Sequence, residues 1–135
     1  MAYPIEKIEG IGPAYGQKLT AAGIKTTDDL LAKSATPKDR AALAQATGLP
    51  EKLVLKWANM ADLMRIKGVG EEYSELLEAA GVDTVKELKL RVPANLTQAM
   101  AKANEAKKLV RVVPTEKQVT DWVAEAKLLA PKLSY

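Results

Sequence analysis

The chain has 135 residues, enough for one domain or for one pair of closely packed repeats. It holds no cysteine and no histidine, which excludes disulfides, thiolate zinc sites, thiol catalysis and the commonest general base. A net charge of +3, from 20 basic and 17 acidic residues, is too small to argue for nucleic acid by itself. No run approaches the roughly 18 apolar residues of a membrane span, so no membrane partner is expected.

Phenylalanine is absent too, so a core must be built from Leu, Ile, Val, Met and many alanines. Alanine has the best helix propensity and lets helices approach closely, so this composition suits short packed helices. Met1 to Glu9 lack a basic stretch followed by an apolar one, so no secretory signal is expected and a cytoplasmic location is.

The first candidate element is a turn, Ile8-Glu9-Gly10-Ile11-Gly12. Two glycines around one apolar residue suit a tight reversal at positive φ, with Ile11 turned inward to pin it. A helix is predicted from about Pro13 to Ala22, since proline is favoured in a first turn. Gly23 stands where a left-handed cap ends it. A second helix starts at Thr26 or Thr27. Thr36-Pro37-Lys38-Asp39 opens a third, which ends at Gly48. Pro50 opens a fourth, carrying Trp57. Leu30, Leu31, Leu43, Leu53 and Trp57 fall at spacings that bury one helix face.

The chain then repeats itself. Ile66-Lys67-Gly68-Val69-Gly70 follows the first turn at an offset of 58, and the offset holds for Tyr15 and Tyr73, Leu19 and Leu77, Gly23 and Gly81, and Leu30 and Leu88. Thr84-Val85-Lys86-Glu87 and Thr115-Glu116-Lys117-Gln118 have the capping-box pattern. Trp57 and Trp122 occupy matching places, but 65 residues apart, so the second copy has gained seven residues. No stretch alternates in the manner of a strand. The expected fold is all-α: two units of short packed helices, residues 1–60 and 61–135, which together can form one compact domain.

Ile8-Glu9-Gly10-Ile11-Gly12-Pro13, with Leu19 and Ala22-Gly23-Ile24, resembles the helix-hairpin-helix motif of DNA repair proteins, ligases and Holliday-junction proteins. More closely, the whole chain resembles a bacterial family of tandem units described as a domain of unknown function, DUF4332. The stretch Ala61-Asp62-Leu63-Met64-Arg65-Ile66-Lys67-Gly68-Val69-Gly70-Glu71-Glu72-Tyr73 is typical of that family. The wider resemblance implies that the hairpin amides contact a nucleic-acid phosphate without reading sequence.

Carried over residue by residue, the implied phosphate site is Gly10, Ile11 and Gly12, with Lys18 the first cation after the turn. A helix N-terminus favours an anion through its free N–H groups and its dipole. In the second turn, Gly68, Val69 and Gly70 precede Glu71, Glu72, Glu75 and Glu78. Those carboxylates suit a helix start but repel phosphate, so the second turn is expected to be structural. Residues 86–111 hold seven basic against two acidic side chains, and Lys102, Lys107, Lys108 and Arg111 form a candidate basic patch. A solvated helix face is the plainer account of those charges.

Trp57 and Trp122 are expected in the core, and Tyr15 and Tyr73 on helices with their hydroxyls near the surface. No paired carboxylates, nucleophile with a base, or metal cluster emerges, so catalysis, metals and cofactors are not expected. Two functions remain: sequence-independent binding of DNA or another nucleic acid, and a protein–protein adaptor that binds none.

Overall fold

Threonine and proline punctuate the chain, and helices open where they stand. The computed structural model describes residues 2–135, and those residues form eight α-helices after a single 3-10 turn at Ile5–Lys7. The helices are α1 (Pro13–Ala21), α2 (Thr27–Lys33), α3 (Pro37–Thr47) and α4 (Glu51–Leu63), then α5 (Glu71–Ala79), α6 (Val85–Leu88), α7 (Pro93–Lys107) and α8 (Glu116–Ala126). Among the described residues no strand forms beyond one isolated bridge between Pro4 and Thr26, and no helix is long and apolar enough to cross a membrane.

The predicted caps account for most of the boundaries. Thr26, Thr36, Thr84 and Thr115 each accept the backbone N–H three residues on, at 3.1–3.2 Å. Each such cap is worth about 1 kcal/mol. Thr26 with Asp29, and Thr115 with Gln118, close full capping boxes. Thr84 makes only half of one, because Glu87 turns its carboxylate to the Thr84 hydroxyl rather than to the backbone. Helices α1 and α5 both end in paired back-bonds around a left-handed glycine. The Ile24 and Val82 amides reach Leu19 and Leu77, and Gly23 and Gly81 have φ of 87° and 95°.

One element escaped the sequence reading. Helix α7, 15 residues long, has no threonine cap; Val92 precedes Pro93, whose fixed φ starts the helix. Helix α7 and the loop after it are nine residues longer than α3 and its loop, while α6 and its loop are two shorter than α2 and its loop, which leaves the seven by which the second half is longer.

Two apolar clusters lie along the chain. Leu19, Ile24, Leu30, Leu43, Val54 and Trp57 belong to the first, and Leu77, Val82, Leu88, Leu96, Val119 and Trp122 to the second. Helix α4 joins them: its Trp57, Met60 and Ala61 face the first cluster, while Leu63 enters the second. It therefore runs on through residue 60 as part of both halves.

The last residues tie the halves together. Arg40 is buried, and its guanidinium donates to the Ser34 carbonyl at 2.8 Å and the Ser134 carbonyl at 2.7 Å, with the Tyr135 ring 5.3 Å away. Arg65 pairs with Asp62 at 2.8 Å and donates to the Ala130 carbonyl at 2.7 Å. The Ser134 amide donates to the Ala35 carbonyl, and the Tyr135 hydroxyl to Asn59. Burial of that hydroxyl, reinforced by the nearby Asp62 charge, pushes its pKa up to about 12.

Candidate nucleic-acid interface

In each Gly-x-Gly turn the two glycines do different jobs. Gly10 and Gly68 have φ of 94° and 90°, a region that costs other residues about 1–2 kcal/mol. Gly12 and Gly70 do not share it. Their φ values are −85° and −102°, in ordinary extended backbone, which corrects the expectation that both glycines serve a positive φ. A Cβ built on either would meet nothing within 4 Å. Neither backbone angle nor internal packing requires glycine there.

The middle residue is buried in both turns, as expected, and its amide is already used. Ile11 donates to the Ile8 carbonyl at 3.1 Å, and Val69 to Ile66 at 3.0 Å. Ile11 therefore anchors the turn, and its amide is not free for a ligand, contrary to the sequence expectation. The open donors lie one step on. Pro13 has no N–H, and no side chain caps α1, so Ala14 and Tyr15 present amides for which the helix has no acceptor. Lys18 is exposed but lies in the last turn of α1, away from those amides.

A tyrosine–tryptophan pair backs each turn. Tyr15 lies 5.2 Å from Trp57 between ring centroids, tilted by 58°, and Tyr73 lies 5.2 Å from Trp122, tilted by 54°. Both tryptophans are buried, at 2% and 4% exposure, while Tyr15 keeps 38%. The Tyr73 hydroxyl donates to the Val112 carbonyl at 3.0 Å.

That bond brings the loop after α7 against the second turn. Asn104 shapes the same loop: its side chain donates to the Val110 carbonyl at 3.0 Å and accepts the Val110 amide at 2.9 Å. Lys102, Lys107, Lys108 and Arg111 are all exposed, and Lys108 takes a left-handed conformation (φ 51°) at the end of α7. Sequence reasoning missed Asn104; its only trace is an amide side chain three residues before the helix end.

The charges around α5 relate the patch to the first turn. Burial raises the Glu75 pKa above its ordinary value, and Glu9 raises it further, while Lys56 and Lys107 pull it down. Glu9 belongs to the first turn and Lys107 ends α7, so a charge from each acts on α5. Glu71 and Glu72 stand in the first turn of α5, beside a groove of about 300 Å³ also lined by Tyr3, Lys7 and Met64. Among the described residues no three carboxylates gather as a metal site would require.

An all-helical protein with two open Gly-x-Gly turns is the class that this geometry defines. The chain belongs to the family described as Domain of unknown function (DUF4332), whose model matches residues 9–129. Among curated proteins and solved structures, none matches the chain.

Proposed function

We propose that the two halves are tandem helix-hairpin-helix units and that the protein, without catalysis, binds the backbone of nucleic acid independently of its sequence. The observation that carries this reading is Gly12. Its backbone angles suit any residue and the space beside it is empty, so its lack of a side chain serves something that approaches from outside. What it uncovers is an uncapped helix start with free amides, which attracts an anion.

Lys107, Lys108 and Arg111 supply charge from the end of α7 and the loop after it, and Lys102 extends it along α7. Phosphate contacts carry no sequence information, so such a site holds any duplex at a similar strength. The test is fluorescence anisotropy with labelled duplex and single-stranded DNA at about 50 and 200 mM salt. A site with several phosphate contacts loses orders of magnitude in affinity between these conditions. Absence of binding at the lower salt would sink the proposal.

A second reading, a protein–protein adaptor, draws on the other turn. Gly70 is as open as Gly12, yet Glu71 and Glu72 follow it. An open turn ringed with carboxylates fits a basic protein surface better than phosphate. A stoichiometric protein complex that ignores DNA would favour this reading.

A further inference from the structure

The first hairpin holds a donor for which the described residues supply no acceptor. Trp57 is 98% buried, being only 2% exposed, and its indole nitrogen lies 3.5 Å from where a Gly10 Cβ would stand. Among the described residues no acceptor takes that N–H. The nitrogen is not sealed in either, because among the described residues no fully buried side-chain nitrogen or oxygen lacks a partner. The indole edge therefore reaches the surface beneath Gly10. Trp122 repeats the arrangement, 3.4 Å from the Cβ position of Gly68.

A buried indole ordinarily finds an acceptor within its own protein. Here its ring is held among apolar neighbours and against Tyr15, while its one polar atom lies next to Gly10 of the turn. Gly10 thus does two things: it supplies the positive φ, and it leaves the N–H uncovered where a side chain would lie over it. The open amides of α1 begin four residues further on, across Gly12, which also covers nothing.

We propose that the Trp57 indole N–H is a ligand-facing donor of the first hairpin, reaching the phosphate-type oxyanion that the free amides of α1 also face. The nucleic-acid reading above supplies the carrier of that oxyanion, and the inference rests on it to that extent. The second hairpin has the same donor, but the Glu71 and Glu72 charges in the first turn of α5 would repel an anion, so no such role is expected of Trp122.

The test uses the ¹⁵N-labelled full chain, whose two indole N–H resonances are assigned with W57F and W122F. Duplex DNA and, separately, inorganic phosphate are titrated while anisotropy follows DNA binding. The expected result is that DNA shifts the Trp57 indole resonance in step with the anisotropy, with little change at Trp122. W57F, which keeps an aromatic ring against Tyr15, should bind DNA about ten- to hundredfold more weakly, the scale of one hydrogen bond to a charged acceptor. Salt-sensitive DNA binding with an unmoved Trp57 resonance and an unweakened W57F would overturn the inference and leave the nucleic-acid reading standing. A Trp57 shift with inorganic phosphate but no DNA binding would uphold the donor and remove the nucleic acid. No response to either probe would overturn both. Should W57F fail to fold, the resonance of the unaltered chain still decides.

Discussion

Replacing Gly12 with serine separates the stability of the first hairpin from its openness. Gly12 precedes α1 at φ −85° and ψ −174°, where serine is unstrained, and an added side chain meets nothing within 4 Å. A serine hydroxyl there can accept the Tyr15 amide, as four threonines do at other helix starts in this chain. Over glycine this cap adds a few tenths of a kcal/mol. Reduced freedom of the unfolded chain adds about 0.4–1 kcal/mol. Together they give about 1 kcal/mol, or about 4 °C in Tm for a protein of this length.

If the proposed phosphate site exists, the same hydroxyl occupies an amide that the phosphate would need. A hydrogen bond to a charged group is worth about 1.5–3 kcal/mol, so DNA affinity should fall ten- to hundredfold. G70S is the matched control. It should stabilise equally and leave DNA binding alone, because the Glu71 and Glu72 charges at that helix start would repel phosphate. Thermal melts by circular dichroism and DNA titrations by anisotropy, run on the same samples, read both effects. A G12S protein that melts higher yet binds DNA unchanged refutes the phosphate site. One that melts lower refutes the open turn.

Gly10→Ala should cost about 1–2 kcal/mol through backbone strain alone, since its Cβ makes only ordinary contact with Trp57, and Gly68→Ala should behave alike. Urea denaturation measures both, and a harmless Gly10→Ala would contradict the turn. Arg40→Met strands the Ser34 and Ser134 carbonyls and should destabilise by about 1–3 kcal/mol, with faster hydrogen exchange at the Ser134 amide. Unchanged exchange there would show that Arg40 does not hold the last residues. Glu75, whose pKa is raised on folding, contributes most below the unfolded carboxyl pKa and loses that contribution as pH rises through its folded value. Glu75→Gln should therefore raise stability at pH 7, with the gain gone by about pH 3, below the ordinary glutamate pKa; equal melts at pH 7 would refute this. Reversing Lys107 and Lys108 to Glu should weaken DNA binding uniformly across sequences and flatten its salt dependence by about two phosphate contacts. An unaltered slope would place the contacts elsewhere.

The helices were legible in the sequence because their ends obey local physics. A threonine cap bonds an amide three residues away, and a left-handed glycine closes α1 and α5 within five residues, so the deciding partners lie within one turn of each other. The duplicated turns were legible for the same reason, down to the burial of Ile11 and Val69. Where local rules were silent, the reading failed. Helix α7 starts on Pro93 alone, with no threonine before it and a left-handed Lys108 instead of a glycine after it, and the different roles of Gly10 and Gly12 appear only in their backbone angles.

Other features depend on the way helices pack. Arg40 reads as an ordinary surface cation until Ser134, 94 residues later, crosses over it. Trp57 meets Gly10, and Glu75 feels both Glu9 and Lys107, because α4 and α5 bring together segments far apart in the chain. The sequence by itself determined where each turn starts and stops, since those partners are chain neighbours. Which donors stay open and which charges surround them was decided by tertiary packing, because hydrogen bonding and burial depend on distances in space.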